Sequence, residues 1–149
     1  MTNDAFLFWE VPYEPGKLEA IGKTADGKTV SFAVKTAGEP AAIALSPDRK
    51  VLKANRQDVG YVSVQLLDAH GVPVPFAGNT ITFEVTGAGK LAAVGNGNQQ
   101  SHTPLKGNRM EVWKGKCLAI VQSTAKKGKI TITARSGSLP MATVVLRAE

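Results

Sequence analysis

The side chains able to do chemistry in this chain are few and scattered. Two histidines (His70 and His102), one cysteine (Cys117) and 12 acidic residues supply its imidazole, thiol and carboxyl groups. Retaining hydrolysis of a glycosidic bond needs two carboxyl groups about 5–5.5 Å apart on a rigid support. Glu10, Glu14 and Glu19 lie close in sequence, but Pro12 and Pro15 bend the chain between them and turn them toward water. Glu84 and Glu111 alternate with apolar neighbours and read as outward strand positions. Cys117 opens an unbroken apolar run, where a thiol behaves as a small hydrophobe. Two histidines, one cysteine and no ladder of calcium-loop carboxylates do not make a ligand set. No catalytic residue, metal or cofactor is expected.

The stretch 95–108 is the best remaining candidate for a site. It is rich in Gly, Asn, Gln, Ser, His and Thr and longer than a simple connection needs. Asn96, Asn98, Gln99 and His102 could hydrogen-bond sugar hydroxyls, with Trp113 as a stacking surface. Asn96, Asn98, His102 and Trp113 are therefore the candidate carbohydrate contacts. The competing reading has these side chains capping their own turns, as Asn and Ser do. Trp9 and Tyr13, with Trp113, could form an aromatic platform, but strand-like surroundings favour core packing or a domain contact.

The elements that must position these residues are strands. Val62, Val64 and Leu66 repeat at every second place, as do Ile81, Phe83 and Val85, and Ile130, Ile132 and Ala134. That period marks half-buried strands. The run 117–121, apolar throughout, suits a strand covered on both faces. The 15 glycines and 8 prolines separate such runs. Turn candidates are Asp26-Gly27 (a type I′ hairpin signal), 68–71, Gly87-Ala88-Gly89, Gly95-Asn96-Gly97, Lys114-Gly115 and Lys127-Gly128. No window shows a 3.6-residue apolar stripe.

Strands are expected over 6–9, 17–24 and 29–36, and then over 41–45, 60–67, 80–85, 90–94, 110–113, 116–123, 129–135 and 142–146. The fold class is all-β, an immunoglobulin-like antiparallel β-sandwich over residues 38–149. Residues 1–37 precede it as a few strands left from an adjoining β-sandwich. They are too few for a core of their own, so they should pack on the sandwich or pair with another chain. Residues 5–36 are accordingly expected to support a homodimer.

Charge and composition narrow the partners. The net charge is +6, yet only Lys126, Lys127 and Lys129 cluster, and no aromatics interleave with them. Nucleic acid is not expected as a partner. No apolar run approaches the roughly 20 residues of a membrane-spanning helix, so no membrane is expected either. One cysteine excludes an internal disulfide. The opening MTNDAFLFWE lacks a basic, cleavable leader pattern and reads as a segment cut from a longer chain with Met1 added.

Two stretches carry a resemblance. Residues 8–20, with Trp9, Val11-Pro12-Tyr13, Pro15-Gly16, Leu18 and Ala20, resemble the end of the sandwich that follows the catalytic barrel in family 2 glycoside hydrolases of the β-galactosidase type. From Pro40 onward the chain is similar to the next domain of those enzymes, itself similar to bacterial immunoglobulin-like repeats of the invasin type. Residues 64–75, 81–85, 115–124 and 128–134 carry that likeness, and the loop 94–98 with Ser101-His102 points to the glycosidase version. The resemblance implies a C-terminal accessory region of a bacterial, periplasmic or secreted enzyme, partnered by its catalytic barrel and by carbohydrate. In such enzymes the catalytic glutamates belong to the barrel upstream, so none maps onto this chain. The alternative is a carbohydrate-binding or adhesin-type module.

Overall fold

The computed structural model describes residues 8–149, and every regular element in them is a β-strand. The chain divides into two compact units, one up to Thr36 and one from Ala37 onward.

The first unit is a hairpin. β1 (Lys17–Lys23) pairs antiparallel with β2 (Thr29–Lys35). The register sets Leu18 opposite Val34, Ala20 opposite Phe32 and Gly22 opposite Val30, so one face is wholly apolar. Lys17, Glu19, Lys23, Thr29, Ser31 and Lys35 surround Ile21 and Ala33 on the other face.

The turn is not the expected type I′, because of its two central residues only Gly27 has a positive φ, 80°. The Gly27 amide donates to the Thr24 carbonyl at 2.9 Å, and the Thr24 amide donates to the Lys28 carbonyl at 2.9 Å. This is a three-residue loop, a type I turn ending in a left-handed glycine. Local bonds decide the choice: the Thr24 hydroxyl donates to Asp26, and the Lys28 ammonium pairs with Asp26 at 2.7 Å. Ahead of the hairpin, Phe8 and Trp9 are irregular and no ladder pairs them among the described residues. The remainder of the strand expected over 6–9 lies outside the described residues.

The second unit is the sandwich. Its strands are β3 (Ala42–Pro47), β4 (Val51–Leu52), β5 (Val59–Leu67), β6 (Thr80–Gly87), β7 (Gly89–Gly95), β8 (Arg109–Glu111), β9 (Lys116–Ser123), β10 (Gly128–Ser136) and β11 (Leu139–Ala148). One sheet runs β4-β11-β10-β6-β8 and the other β3-β5-β9-β7. All pairs are antiparallel except β4 with β11. β4 is too short to leave a period in the sequence.

The inward positions of both sheets share one core. Val62, Val64, Leu66, Ile81, Phe83, Ile130, Ile132 and Ala134 are all 2% exposed or less. Burying a side chain such as Phe83 contributes about 1.5–3 kcal/mol. β9 departs from the expected double coverage: Cys117, Ala119 and Val121 are buried, whereas Leu118 and Ile120 are half-buried. A two-layer sandwich covers one face only. On the other, Ile120 is shielded sideways by Tyr61 and Ala93, which flank it in register.

The chain changes sheets at Gly87-Ala88-Gly89. A Cβ on Gly87 would stand 2.2 Å from the Lys129 carbonyl oxygen, and one on Gly89 would stand 2.6 Å from Ile130. Ala88 between them is buried, donating to the Lys129 carbonyl at 2.8 Å and accepting from the Thr124 amide at 2.9 Å.

Asp68 closes the sandwich at its entry. Its carboxylate accepts from the Gly38 amide at 2.9 Å and from the Val72 and His70 amides at 2.8 Å each. These donors hold its pKa below the usual carboxylate value, Gly38 contributing most and Val72 next. The stabilisation is complete above the unfolded-state pKa of about 4 and disappears as pH falls through the lower folded-state value. Asp68→Asn should therefore lower the thermal midpoint at neutral pH. The gap to the unsubstituted chain should narrow when melts are repeated at successively lower pH below about 4. A gap unchanged by acid would show that the carboxylate's charge is not what holds the entry.

Candidate functional site

Residues 96–108 carry the chain from β7 in one sheet to β8 in the other, and their own side chains fix the path. The Asn96 Oδ1 accepts from the Asn98 amide at 3.0 Å, while its Nδ2 donates to the Glu111 carbonyl at 2.9 Å. The Asn98 Oδ1 accepts from the Gln100 amide at 3.0 Å, and the Ser101 Oγ from the Thr103 amide at 3.3 Å. The Val94 amide donates to the Leu105 carbonyl at 2.9 Å, which draws the far side of the loop back to β7. Short polar side chains thus replace the ladder bonds that an irregular segment lacks.

Trp113 reaches this loop through a tight turn. Trp113 and Lys116 exchange both backbone bonds, at 2.8 and 3.0 Å, across Lys114 and Gly115 with φ of 52° and 73°. Two consecutive left-handed residues make this a type I′ turn. Gly115 is buried, and its carbonyl accepts from the Leu66 amide at 2.9 Å and from the Gln65 side chain at 3.1 Å. A Cβ there would stand 2.1 Å from the Val74 carbonyl oxygen. The turn is pinned to the body of the sandwich.

Loop and turn border a solvent-open depression of about 470 Å³. Asn96, Asn98, His102 and Trp113 all line it, together with Ser101 and Glu111. Trp113 is 42% exposed, and the Lys114 ammonium lies 4.7 Å from its ring centroid, a cation–π contact. Asn96 and Asn98 are half-buried and His102 is exposed. Glu111 was not among the expected contacts, although its alternation with buried Met110 and Val112 already faced it outward.

The other candidates lie apart in character. Trp9 and Tyr13 are 68% and 79% exposed and belong to no strand, so the expected packing of these two rings is not seen. Pro12 and Pro15 keep that segment out of a ladder. Cys117 is buried, and desolvation pushes its thiol up to about 12, far from a reactive thiolate. Glu10, Glu14, Glu19 and Glu84 are exposed; Glu19 pairs with Lys17 at 2.6 Å and Glu84 with Arg135 at 4.0 Å. Among the described residues no three His, Cys, Asp or Glu side chains group as a metal site.

Residues 43–145, which include the depression, match the family described as glycoside hydrolase family 2 C-terminal domain 5. The chain belongs to this family. Residues 1–31 match a second family, a domain of unknown function (DUF4982). Among curated proteins, the chain is 38% identical to the β-galactosidase BoGH2A of Bacteroides ovatus, over 99% of this chain and 17% of that one. Among solved structures it resembles a glycosyl hydrolase family 2 member from Bacteroides cellulosilyticus, with a TM-score of 0.90 and 31% identity, over 96% of this chain and 18% of that one. A β-glycosidase from Bacteroides vulgatus gives 0.88 and 31%, over 95% and 18%. The chain spans 17% or less of the length of the curated relatives it matches.

As a family 2 C-terminal domain 5, the sandwich presents the Trp113 turn on a rigid support, and Gly115 is the residue that permits it. Gly115→Ala combines a left-handed alanine with a backbone clash and should cost about 2–4 kcal/mol in urea denaturation. Gly95→Ala, at a site with open space and no positive φ, should change stability by less than about 0.5 kcal/mol. Equal effects of the two would contradict this account of the turn.

Proposed function

We propose that the chain is a non-catalytic accessory region of a family 2 glycoside hydrolase of the β-galactosidase type. Its work is packing: buttressing the catalytic barrel, shaping access to the cleft and making subunit contacts. In this reading residues 1–37 are the terminal strands of a preceding accessory sandwich, and residues 38–149 are the bacterial immunoglobulin-like domain that follows.

The observation that carries the reading is the apolar face of the hairpin. Leu18, Val30, Phe32 and Val34 lie on that one face and are 53%, 55%, 72% and 48% exposed. A two-stranded ribbon is marginal in water, and a continuous apolar face at this exposure calls for a covering layer. The match of residues 1–31 to a family of their own supports a layer supplied by the rest of that domain. The buried, unreactive thiol and the exposed, separate carboxylates support a non-catalytic role.

A second reading, that the domain also touches carbohydrate, is favoured by one observation: the exposed indole of Trp113 beside a depression lined with hydrogen-bonding groups.

Without its covering layer the 149-residue chain should pair with a second copy through residues 5–36, of which 5–7 lie outside the described residues. Light scattering should show the mass rising toward the dimer with concentration. Phe32→Asp should weaken the pairing on the order of 100-fold while leaving the far-ultraviolet spectrum of the sandwich intact. A strictly monomeric chain at high concentration would sink the dimer. Turnover of p-nitrophenyl β-galactoside or β-glucuronide by the purified chain would overturn the non-catalytic role.

A further inference from the structure

We propose that the depression beside Trp113 binds one ring of an uncharged sugar, stacked on the indole and hydrogen-bonded by Asn98, Gln100, His102 and Glu111. The proposal rests on the carbohydrate reading above and names the ligand class that reading leaves open.

The polar lining separates into groups already used and groups still free. Asn96 spends both ends of its amide on the Asn98 amide and the Glu111 carbonyl, so it shapes the wall and has little left for a ligand. The Asn98 side chain spends only its oxygen, on the Gln100 amide, and keeps its two N–H donors. The Gln100 amide group, the His102 ring and the Glu111 carboxylate line the same space and make no hydrogen bond among the described residues. Donors and acceptors thus stand side by side. A sugar hydroxyl gives one hydrogen bond and accepts others, so a ring bearing several of them answers such a mixed wall.

The aromatic group completes the match. The indole of Trp113 is 42% exposed, and the Lys114 ammonium 4.7 Å from its centroid shows that the ring attracts positive charge. The C–H bonds on one face of a pyranose carry partial positive charge and meet that same attraction. A depression of about 470 Å³ admits a small ligand, and its open side limits how much of that ligand is desolvated. Affinity on the order of millimolar follows.

Other ligands answer the site less well. Glu111 lines the depression and Lys114 does not, so the charge facing a ligand opposes an anion, including a uronic acid. A metal ion would need more ligands than Glu111 and His102 provide, and among the described residues no third such group joins them. Nucleic acid needs several stacking rings along a basic track. Here Trp113 precedes β9 while Lys126 and Lys127 follow it, at opposite ends of an eight-residue strand.

The test uses the intact 149-residue chain, labelled with nitrogen-15 and titrated with methyl β-galactoside and, separately, with glucuronate. The indole N–H signals of Trp9 and Trp113 are distinct probes, assigned with Trp9→Phe. The expected result is saturable movement of the Trp113 indole and of the 98–102 amides with methyl β-galactoside. Binding should be lost in Trp113→Ala and retained in Trp9→Phe, and glucuronate should bind at least threefold more weakly. Glu111→Gln should narrow that preference, a change that a merely structural role for Glu111 would not produce. No movement with either sugar well above millimolar, or movement that persists in Trp113→Ala, overturns the site and the carbohydrate reading together. Tighter binding of glucuronate than of methyl β-galactoside overturns the ligand class alone and leaves the carbohydrate reading standing.

Discussion

The sandwich depends on the corner at Gly87-Ala88-Gly89. There β6 leaves one sheet and β7 enters the other; a Cβ on Gly87 would meet the backbone of β10, and one on Gly89 the Ile130 side chain. Ala88, hydrogen-bonded to both Lys129 and Thr124, ties the corner to the strands on either side of it. That close approach lets Ile81 and Phe83 of one sheet face Val94 and Val121 of the other across a single core. The corner is the tightest of the crossings between the sheets, a single residue from strand to strand, and it holds the apolar faces of β6 and β7 over one core.

From that core the rest follows outward. β9 lies between β5 and β7, so the turn that precedes it is held at the sheet end by Gly115 and its bonds to Gln65 and Leu66. The turn presents Trp113, and the loop 96–108, crossing between sheets, presents its amides beside it. A rigid scaffold with an irregular loop at one end is a common place for binding residues. The hairpin of residues 17–35 is built on the opposite principle: its pairing is regular, but its apolar face has no buried residue. The sandwich satisfies its own core, and the ribbon does not.

Much of this was legible in the residues, for physical reasons. Alternation at Val62, Val64 and Leu66, or at Ile130, Ile132 and Ala134, is imposed by the pleat and survives any change of neighbours. The turns were less legible. Asp26-Gly27 has the composition of a type I′ turn, yet bonds among Thr24, Asp26 and Lys28 select another geometry. Lys114-Gly115, a less typical pair, adopts type I′ with both residues at positive φ, and the missing Cβ of Gly115 leaves room for the Val74 carbonyl. β4 was invisible because two residues carry no period and, among the described residues, its one ladder is to β11, far along the chain. The polar loop stood out by composition. That Asn96 would be consumed by the Glu111 carbonyl, and that Glu111 would share the same space, are facts of tertiary contact that no local pattern encodes.

Residues 37–149 bury a core of their own, whereas every residue of β1 and β2 is exposed. Hydrogen exchange of backbone amides in the isolated chain, at a concentration where it is monomeric, tests this most directly. The amides of β5, β6, β9 and β10 should exchange together and only by global unfolding, while those of β1 and β2 should exchange orders of magnitude faster. Equal, slow exchange in both units of the monomer would contradict it.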